Sequence, residues 1–259
     1  MRPGRSPRWL GVAGLAGFLV LLEVLPRVGL VPERYLPPTS RIAAALADEL
    51  GEPSFWVALG DTLEGWAIGL ALAVASGVGL GLLIGSVPAL RAATASTIEF
   101  LRPIPSVALI PLAVLLFGTD LRSKLLLVVY ASFWQVLVQV LHGVQDVDPV
   151  AMDTARSYRL GRWARIRDVV WPTALPYAVT GFRLAAAVAL ILAITAELVI
   201  GSPGLGREIA VAQTSGAVPA MYALVVVAGL LGVAVNLAAR ALERRLLAWH
   251  PSARREVAA

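Results

Sequence analysis

Apolar stretches long enough to cross a bilayer recur along the 259-residue chain. They fall at about 9–25, 66–86, 98–117, 125–141, 178–200 and 222–238. A hydrocarbon core of about 30 Å takes roughly 20 helical residues to span. Inside it the backbone has no water to bond, so each crossing segment must close its own hydrogen bonds. Composition agrees: 58% of residues are hydrophobic and 15% charged, against about a quarter charged in a soluble domain. The expected fold is therefore all-α, a polytopic membrane bundle of about six transmembrane helices.

The stretches differ in character. The first follows Arg2, Arg5 and Arg8 in the manner of a signal peptide, but no small-x-small site follows in 26–34. It reads as an uncleaved span. Pro37-Pro38-Thr39-Ser40 marks a turn and helix cap before an amphipathic helix at 41–50. In the second stretch Gly69, Ala73, Gly77, Gly81 and Gly85 recur every fourth residue, a row that lets helix backbones approach closely in lipid. Whether the partner helix belongs to the same chain is left open by the row itself. The third holds Pro103, Pro105 and Pro111, each removing a helix hydrogen bond. Broken helices occur in membranes where they line a cavity or pack inside protein, so Arg102, Pro103, Pro105 and Ser106 read as translocation path or as a simple kink. A short hydrophilic turn, 119–124, precedes the fourth stretch. The fifth contains Arg183 and Glu197; the latter sits near the outer end, within reach of water, and reads as capping, gating or ligand contact. A glycine-rich segment, 202–218, with a short amphipathic patch at 207–212, separates the fifth from the sixth.

One long polar interruption, 148–176, carries Arg156, Arg159, Arg162, Arg165 and Arg167. Asp148-Pro149 is a helix start, since the aspartate accepts from free backbone N–H groups and proline suits the first helical position. Gly161 permits a turn, Arg162 begins a second helix, and Pro172 with Pro176 closes the segment. Two short helices outside the bilayer are expected. Counting cations on the side of the amino terminus gives three in the tail, Arg91, five in this loop and five after the sixth stretch. The opposite side has Arg27, Arg34, Arg41, Arg122, Lys124 and Arg207. The positive-inside rule puts both termini and the loop in the cytoplasm.

Several chemistries are excluded. Cysteine is absent and only His142 and His250 occur, so no catalytic set or metal site is expected. The net charge of +5 reads as membrane anchoring, with no nucleic-acid partner. ATP binding would need a lysine in a G-x-x-x-x-G-K-[ST] loop, and Lys124 follows Ser123 instead of glycine. A secondary transporter should show two similar halves or paired mid-span charges; neither is visible.

The order Asp153-Thr154-Ala155, Arg159, Val169, Trp171-Pro172 has the spacing of the EAA loop of ABC-transporter permeases, E-A-A, three residues, G, nine residues, I-x-L-P. Aspartate replaces Glu, Thr154 the first Ala, Arg159 Gly, Val169 Ile and Trp171 Leu. Further similarity lies in Phe100 to Ser106, Pro111-Leu112, Phe117-Gly118, Ala155 to Tyr158, Ala196-Glu197 and Gly204-Leu205-Gly206. From about 61 to 249 the chain resembles permeases for sulfonates, taurine, nitrate and thiamine precursors. The resemblance implies three parts: 1–60 with the first span, a permease domain over 61–249, and a tail over 250–259. It also implies a non-catalytic subunit of an importer in the bacterial cytoplasmic membrane, a homodimer with two ATP-binding subunits and an extracytoplasmic solute-binding protein. No cofactor is expected in this chain; ATP and Mg would sit on the partner ATPase. Coupling to that partner would fall to Asp153, Thr154, Ala155, Arg159, Gly161 and Pro172. With glycine displaced to 161, the first loop helix is expected to run on to it. Arg159 would then be helical and free to meet an acidic group on the ATPase.

Overall fold

The computed structural model describes residues 8–248. Arg2, Arg5, His250, Arg254, Arg255 and the whole 250–259 tail lie outside the described residues. Among those described the chain is helical without strands. The helices are α1 (Arg8–Arg27), α2 (Thr39–Gly51), α3 (Pro53–Ser86), α4 (Pro88–Leu101), α5 (Ile110–Phe117), α6 (Leu121–Gln145), α7 (Pro149–Ser157), α8 (Arg162–Arg165), α9 (Trp171–Ile200), α10 (Leu205–Thr214) and α11 (Val218–Leu246). Five helical segments are long and apolar enough to cross a membrane, or six where the bent pair α4–α5 counts as one span.

The core is a three-helix seam, and small residues explain it. On α3, Gly69, Gly77, Gly81 and Gly85 face Val128, Val136, Val140 and Val144 of α6 in steady register. A Cβ on any of the four would fall 2.5–2.8 Å from the opposing valine, closer than any real contact. The glycine row therefore serves a helix of the same chain, running parallel to α3. On its other side α6 packs antiparallel to α9. Gly143 abuts Ala174 and Tyr177, and Gly181 abuts Val136 and Gln139. Two cross-helix hydrogen bonds reinforce the layer: Ser132 Oγ to the Ala185 carbonyl at 3.3 Å and Trp66 Nε1 to the Ala186 carbonyl at 2.9 Å. α11 lies outside α9 and is tied to it by Arg183 and Glu243 at 3.0 Å.

The periphery is looser. Nearly every residue of α1 is exposed, as suits a helix flanked by lipid. Its Glu23 accepts from Thr39 Oγ1 at 2.6 Å, Ser40 N at 2.9 Å and Ser40 Oγ at 2.9 Å. α2 thus has no side-chain cap of its own. A carboxylate from α1 takes up the Ser40 N–H of the first turn of α2 instead.

The third apolar stretch is not one helix. α4 and the segment Ser106–Phe117, which opens with a 3₁₀ turn at Ser106–Leu109, are bent by 84°. Pro103 and Pro105 cannot donate to the carbonyls of Glu99 and Leu101. The Leu101 carbonyl accepts instead from Ile104 N at 3.2 Å and from the Tyr130 hydroxyl of α6 at 2.7 Å. A side chain of the neighbouring helix therefore satisfies the break.

Candidate functional site

The polar loop starts as its sequence requires. Asp148 Oδ1 accepts from Val150 N at 2.8 Å and Pro149 takes the first turn of α7. α7 is amphipathic: Ala155 is buried and Met152 packs against the core, whereas Val150, Asp153 and Thr154 are exposed. Asp153 Oδ1 accepts from Arg156 Nη1 at 2.9 Å, and Thr154 Oγ1 bonds back to the Val150 carbonyl at 2.8 Å. Tyr158 and Trp163 are 80% and 83% exposed. Large apolar side chains standing that far out of the bundle are suited to burial against a surface outside this chain, of protein or of lipid.

At Arg159 the structure overturns the expectation. α7 stops at Ser157, and Arg159 has φ of 57°, alone among the described non-glycine residues in taking a positive φ. Arg159 N donates to the Arg156 carbonyl at 2.8 Å and Leu160 N to the Ala155 carbonyl at 3.0 Å. These two bonds form a Schellman ending, whose left-handed residue is usually glycine. Arg159 occupies the family's glycine position in the glycine conformation, despite its Cβ. Gly161 is not the helix exit. Its φ of −62° and ψ of 165° place it as the extended N-cap of α8.

The second loop helix does not close at Pro172 either. α8 passes through a π turn, Ile166–Val170, straight into α9, giving one unbroken segment Arg162–Ile200. Pro172 lacks the N–H that would bond the Asp168 carbonyl. The turn before it widens, with Trp171 N bonding the Ile166 carbonyl, so the helix absorbs the proline.

Arg102, Pro103 and Pro105 lie exposed at the bend and Ser106 half-buried just after it. Tyr130, which bonds the Leu101 carbonyl, is nine residues into α6, so the break lies beside that helix about 13 Å from its start. Arg102 makes no side-chain hydrogen bond or ion pair among the described residues, and none joins it to the exposed Glu99.

Glu197 is not near water. It is fully buried at the centre of a polar cluster. Its Oε1 meets Lys124 Nζ at 2.7 Å; its Oε2 accepts from Thr62 Oγ1 at 2.8 Å and Gly206 N at 3.0 Å. Lys124 is 2% exposed, inside α6 and not in a surface turn, and its ammonium also donates to the carbonyls of Asp61 at 2.9 Å and Pro203 at 3.0 Å. Thr62 Oγ1 in turn accepts from Leu205 N at 2.9 Å. Glu197 and Thr62 thereby cap α10 from other helices. The cluster joins α3, α6, α9 and the 201–206 turn. Gly65, Gly204 and Gly206 clear the space for it: a Cβ on Gly65 would fall 2.8 Å from the Lys124 side chain, and one on Gly204 2.1 Å from the Glu197 carboxyl. Sequence reasoning missed Lys124 and Thr62. A signal existed, because Lys124 continues the spacing of Val128, Ser132, Val136, Val140 and Val144, opposite a glycine row that itself extends back to Gly65.

Residues 77–248 match the family described as binding-protein-dependent transport system inner membrane component. The taurine transport system permease protein of Escherichia coli (strain K12) is 31% identical over 246 residues, which cover 93% of this chain and 90% of that protein. The bicarbonate transport system permease protein of Synechococcus elongatus is 26% identical over 268 residues, covering 96% and 92%. Among solved structures, the methionine ABC transporter MetNI in an inward-facing conformation superposes with a TM-score of 0.62 at 17% identity, covering 75% of this chain and 98% of its counterpart, a likeness of fold. The buried glycine–valine seam, the broken third span and the exposed EAA-type loop thus occur in a chain that belongs to the binding-protein-dependent transport-system inner-membrane component family, the permease subunits of ABC importers.

Proposed function

We propose that this permease moves a small oxyanion-bearing solute inward, and that Arg102, Pro103, Pro105 and Ser106 line its path. The observation that carries this reading is the position of Arg102. A guanidinium at the break of an apolar stretch, exposed and without a partner among the described residues, is costly in a membrane unless a cavity or an anion meets it. Sulfonate, bicarbonate and nitrate groups match its planar set of donors, and relatives named for taurine and bicarbonate point the same way. Arg183 has no such role, because Glu243 neutralises it.

The assembly we infer is a homodimer with two ATP-binding subunits and an extracytoplasmic binding protein, both termini and the α7–α8 loop lying in the cytoplasm. The permease domain is 61–249. Asp153 and Thr154 on α7 would form the coupling face, with the buried Ala155 seating that helix on the bundle and Arg159, Gly161 and Pro172 shaping the turn and the exit into α9. ATP and Mg would be held by the partner, so that closure of the partner swings α7 and, through the continuous α8–α9 segment, the spans. A helix unbroken from the loop to Ile200 is a direct lever for that motion.

Arg102→Gln tests the substrate reading. In proteoliposomes loaded with ATP, uptake of taurine, an alkanesulfonate, nitrate and bicarbonate delivered by the cognate binding protein is measured for wild type and variant. Uptake of the transported anion should fall at least about tenfold while the ATPase subunits remain bound. Unchanged uptake in an intact complex would remove Arg102 from the path.

A further inference from the structure

We infer that the groove between the end of α3 and the α8–α9 junction is a binding site for the headgroup of an anionic phospholipid. The groove has a volume of about 370 Å³ and is lined by Leu82, Trp163, Ala164, Ile166, Arg167 and Trp171. Leu82 is one turn from the end of α3 at Ser86, which puts the groove at the boundary between hydrocarbon and water. Tryptophans belong at that depth, and Trp163, 83% exposed, has an apolar surface that only a bilayer edge or a partner would cover.

Charge selects the headgroup. Arg162, Arg165 and Arg167 fall within six residues, and Asp168 offsets one of them through bonds of 2.7 and 3.3 Å to Arg167. Arg167, the arginine that lines the groove, is the one so paired, and the two positive charges that remain, Arg162 and Arg165, flank the lining residues Trp163, Ala164 and Ile166 in the chain. Two polar atoms of residues next to the lining ones in the chain are buried without a partner among the described residues: Arg165 Nε, between Ala164 and Ile166, and Ser86 Oγ, one turn beyond Leu82. Both are donors, and phosphate oxygens are the acceptors that would satisfy them. On the neighbouring face of α3, about 80–100° round the helix from Leu82, Leu72 and Leu83 are 51% and 52% exposed, an apolar track along which an acyl chain can lie. A basic pocket between transmembrane helices with such a track fits phosphatidylglycerol or cardiolipin. A neutral zwitterionic lipid would leave the two charges uncompensated.

The test uses the assembled transporter, permease with ATPase subunits, delipidated in detergent. Titration with phosphatidylglycerol or phosphatidylcholine, read by native mass spectrometry, should give a preference of roughly ten- to thirty-fold for the anionic lipid, as two net charges confer. The variant Arg165→Gln/Arg167→Gln should lose most of that preference. Should it fail to assemble, wild type decides. Brominated phosphatidylglycerol should quench tryptophan fluorescence at lower mole fraction than brominated phosphatidylcholine, and Trp163→Phe should reduce the difference. Equal retention of the two lipids, or equal quenching, would overturn the proposal and leave the groove to be covered by protein.

Discussion

In the α7–α8 loop, Asp153 and Arg156 meet at 2.9 Å with 70% and 61% of their side chains exposed. Between α6 and α9, Lys124 and Glu197 meet at 2.7 Å with 2% and 0% exposed. The distances are similar and the physics is not. The loop pair gains little, because water solvates either charge as well as its partner does. The buried pair has no such fallback. Each ammonium hydrogen and both carboxylate oxygens are matched by protein groups on four elements, and three glycines leave room for them. Polar residues at a surface are free to vary in geometry, whereas those inside a bundle fix how helices meet.

Breaking one half of the buried pair should therefore have the largest effect. Lys124→Met leaves an uncompensated carboxylate and should cost about 3–5 kcal/mol, read as a large drop in the temperature at which the detergent-solubilised protein aggregates. Glu197→Gln strands the ammonium instead and should also lose stability, in contrast to a gating residue, whose loss would impair transport alone. Lys124→Met/Glu197→Gln should recover most of the loss. A double variant as unstable as the worse single one would mean that the loss comes from the missing hydrogen bonds of the pair and not from a stranded charge.

The glycine–valine seam is the next place to press. Gly81→Leu would drive its side chain into Val140, whose Cγ1 lies 2.7 Å from the position of an added Cβ. Overpacking of this kind costs about 1–3 kcal/mol, and Val140→Ala should relieve part of it. Gly79→Ala, on the same helix with nothing within 4 Å of its added Cβ, should be neutral by the same aggregation assay. If Gly79→Ala and Gly81→Leu behaved alike, close approach would not be what the row provides.

These two regions also mark where sequence was legible. The glycine row, the apolar lengths and the Asp148 cap each depend on local spacing, and the structure places them as expected. The proline-bearing stretch was readable as a break, but its 84° bend depends on Tyr130 from another helix. The Lys124–Glu197 pair joins residues 73 positions apart, and neither has a sequence neighbour that announces the other. A charged residue near the end of an apolar run looks solvated when only the run is seen. The glycine turn at 204–206 folds over Glu197 and closes it off. In the loop, Gly161 drew the helix end away from Arg159 because a glycine is the expected left-handed residue. The six-residue spacing from Asp153 fixed the true position, and the arginine follows it.

The smallest effect should come from that arginine, and it has the opposite sign. Arg159 holds a left-handed conformation that disfavours any residue with a Cβ by roughly 1–2 kcal/mol. Arg159→Gly should therefore stabilise the ending of α7 by about 1 kcal/mol, less whatever the glycine gains in freedom when the loop opens. Gly161→Ala should change little, since φ there is −62° and an added Cβ meets nothing within 4 Å. Hydrogen exchange of the Leu160 amide, which is bonded to the Ala155 carbonyl at 3.0 Å, reports the ending directly. Exchange should slow in Arg159→Gly and stay the same in Gly161→Ala. Retention of the ATPase subunit separates the conformational effect from a contact made by the guanidinium. Slower exchange with the subunit retained at moderate salt means that Arg159 serves only as a strained stand-in for glycine. Slower exchange with the subunit lost means that the strain is kept because the guanidinium binds the partner.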